Sequence, residues 1–304
     1  MSTSTNVISD SPEMAPASLS AMRLFLWSVR RELWENRYLY LAPLAVAALV
    51  VVGFALGLGH LPDTLRAASA LDAMRQHERI EQPYTFAALL LMFTTFLVAM
   101  FYCLDALYGE RRDRSVLFWK SLPVSDLTTV LAKASIPFLV IPLLTWGITV
   151  ATQALMLSMA GVRLMGTGLS VAPHLSFGHM TWVLFYHLVV GHGFRYAPFW
   201  GWLLLCSAWS KRAPLLWATL PLLVVGLVEK IAFNTSYFGG WLQYRFMGGP
   251  GGMSRGSEPM PMTIAGLTPA LTQFLTSPGF WFGLALAAAF LAAAVRLRRE
   301  RGPI

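Results

Sequence analysis

Charge is scarce in this chain. Asp, Glu, Lys and Arg make up 12% of its 304 residues, about half the share of an ordinary soluble domain. Hydrophobic residues reach 56%, so a soluble surface is excluded. Cysteine is scarcer still. Cys103 and Cys206 lie inside apolar runs and read as small core residues, not as a disulfide or metal pair. The phosphate-loop pattern Gly-x-x-x-x-Gly-Lys-Ser/Thr is absent, so the chain is not itself an ATPase of that kind. A basic soluble face, which a nucleic-acid binder would need, is missing too. Residues 1–20 are polar, contain Pro and Ser, and lack an apolar core. They read as a disordered cytoplasmic tail rather than a signal peptide.

What the chain does have is apolar runs of membrane length. They cover residues 40–58, 86–107, 136–159, 182–209, 215–233 and 280–297. About 20 apolar residues cross the hydrocarbon core. The expected fold is therefore an all-α polytopic membrane protein with six transmembrane helices, residues 21–304 forming one transmembrane domain. The fourth run contains His187, His192, Arg195 and Pro198 and reads as kinked or broken in two. The fifth ends in Glu229-Lys230, which leaves its boundary soft.

Orientation follows from Lys and Arg near the span ends. Arg23, Arg30, Arg31 and Arg37 precede the first run. Arg111, Arg112, Arg114, Lys120 and Lys133 separate the second from the third, and Lys211 and Arg212 separate the fourth from the fifth. Arg296, Arg298, Arg299 and Arg301 follow the last. All these clusters fall on one side, with both termini in the cytoplasm. The net charge of +8 is thus mostly a topology signal.

Two short segments carry more than topology. Met22, Leu26, Val29 and Leu33 recur at helical spacing within 22–37, with Trp27 and Trp34 nearby. A basic amphipathic helix before a span usually lies in the membrane interface. Residues 111–121 read as a second short helix, stopped by Leu122-Pro123. Ser125, followed by Asp126, is suited to cap the third helix.

These residues resemble the permease subunit of type-2 ABC exporters. Glu110-Arg111, Ser115-Val116-Leu117 and Ser121-Leu122-Pro123-Val124-Ser125 match the first cytoplasmic loop of that family, and Lys133 matches a basic residue at the start of its third span. Arg112-Asp113-Arg114 departs from the usual Arg-Gly turn. The resemblance implies an elbow helix before the first span and a coupling helix docked on a separate ATP-binding subunit. Glu110, Arg111, Arg112, Arg114, Val116, Leu117, Trp119, Lys120, Leu122 and Pro123 would then make that contact. It also implies a homodimer, or a heterodimer with a related permease, in a bacterial inner membrane and in contact with membrane lipid. ATP and Mg would belong to the partner, and this chain would carry no cofactor, no metal and no catalytic residue.

Other motifs are weaker. Asp105, Arg195 and Glu229 are ionisable groups at or inside runs, where such groups usually face a cavity or partner. They are candidates for a transport path; Arg195 could instead pair with Glu229 or mark a helix break. Residues 252–256 match Gly-x-Ser-x-Gly around Ser254, but the nucleophile elbow needs a strand before it and a helix after it. His174, His179, His187 and His192 have no acid close in sequence to complete a metal site. Met247, Met253, Met260 and Met262 could bind Cu(I) but read as a flexible contact surface. Two alternatives to the ATP-driven permease stay open: a secondary transporter driven by an ion gradient, and a membrane-embedded enzyme. The substrate is open among drugs, peptides, lipids and polysaccharides.

Overall fold

The apolar runs become helices that pack side by side, because a backbone in hydrocarbon must satisfy its own hydrogen bonds. The computed structural model describes residues 20–121, 124–171, 175–247 and 276–300. Among them every regular element is helical. Five helices are long and apolar enough to cross a membrane: Tyr38–Ser69, Ala73–Arg112, Asp126–Leu164, Pro214–Phe233 and Pro278–Glu300.

The chain starts with α1 (Ala21–Glu35), whose N-cap Ser20 accepts from the Arg23 N–H. The helix forms where the spacing put it, but the expected apolar stripe divides. Val29 and Leu33 pack on the core while Met22, Leu26, Trp27 and Trp34 are exposed. Next come α2 (Tyr38–Gly57) and α3 (Leu61–Ser69), then the long α4 (Ala73–Asp105). This last helix begins well before the apolar run at residue 86, so the stretch between the first two runs is largely helical. The short helix expected over 111–121 forms as two pieces, α5 (Tyr108–Arg112) and α6 (Ser115–Ser121). Leu122 and Pro123, the anticipated stop, lie outside the described residues.

The third span starts at α7 (Asp126–Ser135), capped as expected. The Ser125 hydroxyl accepts from the Thr128 N–H at 3.0 Å. It passes through a wide π turn at Ile136–Val140 into α8 (Ile141–Leu164). Pro137 lies within that turn and Pro142 just after it, and each removes an N–H from the helical ladder.

The fourth run is interrupted, which keeps it out of the five long spans. It forms α9 (Phe177–Tyr186), a π segment His187–Arg195 and α10 (Ala197–Trp209). The two π segments meet: a Cβ on Gly193 would sit 2.7 Å from the Phe138 carbonyl oxygen. Only glycine permits that approach. α11 (Pro214–Phe233) is followed by α12 (Tyr237–Met247), a helix with no clear periodic signal in the sequence, and the chain closes with α13 (Pro278–Glu300).

The main core joins α2, α4, α7, α8 and α10 around Leu39, Tyr102, Ile136, Trp200 and Leu204. Phe96 stacks on Phe199 at 5.8 Å and meets Trp200 at 5.4 Å. Polar side chains stitch the helices inside this apolar matrix. Thr145 donates to Thr95 at 2.9 Å and Gln153 donates to the Tyr84 carbonyl at 3.2 Å.

Candidate functional site

At one end of the bundle α1, α5, α6, α7, and the last turns of α10 and α13 converge. Charged side chains from them interlock. Lys133 of α7 is almost fully buried between two carboxylates. Its Nζ lies 2.8 Å from Glu32 of α1 and 3.1 Å from Glu110 of α5. Tyr102 donates its hydroxyl to the other Glu32 oxygen at 2.9 Å. Arg298 of α13 binds Glu110 through one arm and Asp126 at 2.9 Å through its Nε. Arg31 reaches Glu32 at 2.8 Å and Glu110 at 3.5 Å.

The cluster joins three carboxylates, Glu32, Glu110 and Asp126, to three cations, Arg31, Lys133 and Arg298. These six charges balance one another, the condition under which buried charge is tolerated, and the exposed Glu35 adds a fourth carboxylate at the rim, 3.6 Å from Arg31. Burial works to raise the Glu32 pKa, but the ammonium of Lys133 and its hydrogen bond, helped by Arg31, outweigh it and hold Glu32 below the ordinary value of 4.5.

Next to the cluster, Arg111 donates to the Ala208 carbonyl at the end of α10. The Ser207 hydroxyl accepts from the Leu107 and Tyr108 N–H groups at 3.0 and 2.9 Å. These bonds satisfy donors at the start of α5, which a helix terminus otherwise leaves open. Asp105 stands outside, exposed and 3.7 Å from Arg112.

α6 projects from this platform. Arg114 sits at φ 59, the left-handed conformation that favours glycine. That residue breaks the helix between α5 and α6. Val116 turns inward. Trp119 is covered by Arg31, whose Cζ lies 3.9 Å from the ring centre. Leu117 and Phe118 face outward, 58% and 60% exposed, flanked by exposed Arg112, Arg114 and Lys120.

Thus the anticipated contact residues divide into two groups. Glu110, Arg111 and Val116 are buried and hold the platform. Arg112, Arg114, Leu117 and Lys120 are exposed, and Trp119 lies between the groups. Sequence reasoning did not single out Glu32, Arg298, Asp126 or Tyr102 as cluster members, nor Phe118 as the most exposed aromatic of the loop. For Glu32 a signal existed. Ser28 and Glu32, four apart, extend the Val29–Leu33 stripe that packs inward.

Of the anticipated transport-path residues, Asp105 stands at the edge of this platform, whereas Glu229 and Arg195 lie far from the cluster in sequence and in environment. The Glu229 carboxylate accepts from the Thr235 hydroxyl at 3.1 Å and from the Tyr237 and Phe238 N–H groups, the latter at 2.9 Å. It fixes the first turn of α12. Arg195 ends the π segment of the fourth run and lines a cavity between α10, α11, α12 and α13. Ser254, His174, Met253, Met260 and Met262 lie outside the described residues. No family model matches the chain, and no curated protein or solved structure is significantly similar to it.

Proposed function

We propose that the chain is the membrane-spanning permease subunit of an ATP-driven transporter of the ABC class, working as an exporter. In this reading the interrupted segment from α9 to α10 is a sixth span. α1 lies in the membrane interface with its exposed Trp residues at headgroup level, and α6 docks on a separate ATP-binding subunit. The observation that carries the reading is the outward face of α6. An aromatic and an aliphatic side chain, Phe118 and Leu117, stand exposed within a basic rim, on a helix braced from below by Trp119 and Arg31. A rigid apolar anchor with a charged rim is the usual form of a binding hot spot.

Behind that face the ion cluster ties α6, through α5 and Arg31, to α1 and to the ends of two spans. Movement of the ATP-binding subunits against α6 would be passed to α1, α7 and α13 together. ATP and Mg would be held by the partner, which would bias two states of the bundle. A second copy, or a related permease, would cover part of the apolar faces of α2 and α11. Both helices expose Leu and Val along much of their length, with Leu49 68% and Leu223 71% exposed, and lipid would cover the rest.

One observation favours the ion-gradient alternative. The two π segments pack against each other within the bundle, as the broken helices of secondary transporters do. Neither segment contains an Asp or Glu to bind the coupling ion, and this places it second.

Extraction from native membranes in mild detergent, followed by an ATPase assay, tests the first reading. Wild type is expected to bring an ATPase with it. Phe118→Ala and Lys120→Glu are expected to release that ATPase while leaving the permease folded. An intact protein that carries no ATPase would sink the reading.

A further inference from the structure

One face of α1 alternates basic and aromatic residues. Arg23, Trp27, Arg30 and Trp34 follow one another at spacings of four, three and four, which sets them in a line along the helix. All four are exposed, the two Trp residues 62% and 64%. Glu32, two residues from both Arg30 and Trp34, points the other way and is buried in the ion cluster. The line therefore faces away from the bundle. Arg30 lies between the two rings, its Cζ 5.5 Å from the centre of Trp27 and 4.8 Å from that of Trp34. Arg37, also exposed, follows at the corner into α2. The acids of α1 are engaged elsewhere, Glu32 and Glu35 both with Arg31. Among the described residues Arg23, Arg30 and Arg37 have no carboxylate partner.

We infer that this face of α1 binds anionic phospholipid of phosphatidylglycerol type, with Arg30 as the central contact to the lipid phosphate. A guanidinium stacked on aromatic rings keeps its N–H edge free for a phosphate. Cations with no counter-charge in the protein take one from outside, and the position of α1 supplies it. A helix of membrane length opens at Tyr38, directly after Arg37, and Trp side chains favour the headgroup level. Met22 and Leu26, both exposed beside the line, offer the apolar contact that an interfacial helix needs. A zwitterionic choline headgroup fits worse. A pair of Trp rings can cage a quaternary ammonium, but here Arg30 lies against both rings and repels a second cation. The inference rests on α1 lying in the membrane interface, part of the function proposed above, and on nothing in the ATP-driven step.

The test uses the full-length protein in phosphatidylcholine nanodiscs. Each carries a trace of photoactivatable phosphatidylglycerol or photoactivatable phosphatidylcholine, with the diazirine at the same acyl position. Adducts are mapped to peptides after illumination. Phosphatidylglycerol is expected to label residues 21–37 at least about tenfold more than phosphatidylcholine, and the excess to fall as salt is raised. Arg30→Gln should cut that excess about fivefold, the share of one arginine near an anionic surface. Adding Arg23→Gln and Arg37→Gln should bring the two lipids level. Arg30→Lys keeps the charge and should retain most of the excess, and Arg66→Gln on α3 should leave it unchanged. Equal labelling of α1 by the two lipids in wild type would overturn the inference and leave the interface placement standing, as would an excess that survives the triple variant. Labelling confined to the spans, with none on residues 21–37, would overturn placement and inference together. Loss of phosphatidylglycerol labelling to millimolar inorganic phosphate at constant ionic strength would overturn the lipid as the ligand in favour of a soluble anion. Should the triple variant fail to fold, the two lipids on wild type and their salt dependence decide the matter.

Discussion

Lys133 is the residue on which the most depends. It is 3% exposed and lies between Glu32, 1% exposed, and Glu110. Removing one member of a buried ion pair costs about 3–5 kcal/mol, because the remaining charge stays buried. Lys133→Met is therefore expected to lower the unfolding midpoint in detergent severely. The double variant Glu32→Gln with Lys133→Met removes one charge of each sign and so restores the wild-type balance, with Glu110 and Asp126 still facing Arg31 and Arg298. It should recover much of the loss, and equal damage in single and double variants would argue against a charge cluster. Acid should act on the same group. Glu32 titrates below its ordinary 4.5 in the folded protein, so the unfolded state takes up protons first as pH falls. Its stabilisation is complete above about 4.5 and is lost as pH drops through the lower folded value. Thermal unfolding measured from pH 7 to pH 3 should show that limb in wild type and a shallower one in Glu32→Gln. Little of this was legible in the sequence. Glu32 and Lys133 are 101 residues apart, and a carboxylate on an amphipathic surface helix ordinarily reads as solvated. Only their meeting under α1 makes the pair.

Elements were easier to read where periodicity or capping decided them. α1 and the Ser125 cap stand where the spacing of Met22, Leu26, Val29 and Leu33 and the Ser-Asp pair put them. Interruptions were harder, because they depend on single backbone conformations. Arg114 takes the left-handed conformation at a cost of roughly 1–2 kcal/mol relative to glycine. Arg114→Gly should thus raise the unfolding midpoint slightly, whereas Arg114→Val, β-branched at positive φ, should lower it. The break in the fourth run was suggested by His187, His192, Arg195 and Pro198, but its form was not. A π segment depends on close contact with a second one through Gly193 and Phe138. Gly193→Ala forces a methyl group toward a backbone carbonyl, and overpacking of that kind costs about 1–3 kcal/mol. The expected outcome is a lower midpoint for Gly193→Ala, while Gly178→Ala, where a Cβ meets nothing within 4 Å, should be neutral. α12 escaped sequence reading because its pattern, YFGGWLQYRFM, is apolar without a stripe and carries two glycines, Gly239 and Gly240, in its first turn. Its cap, Glu229, belongs to the preceding helix.

For the whole molecule, the scarcity of charge and the long apolar runs already give a helical bundle suited to a membrane, and five helices meet that requirement in length and composition. What they leave open is what drives it. The proposal places the drive at α6, whose outward face is built from Leu117, Phe118 and a rim of Arg112, Arg114 and Lys120, on a platform of neutralised buried charge. The most direct measurement is photo-crosslinking in native membranes, with a photoreactive phenylalanine analogue placed at position 118. The account predicts a crosslinked partner whose peptides include a phosphate-binding loop, and loss of that adduct when Lys120→Glu is added. Adducts to lipid alone would contradict it.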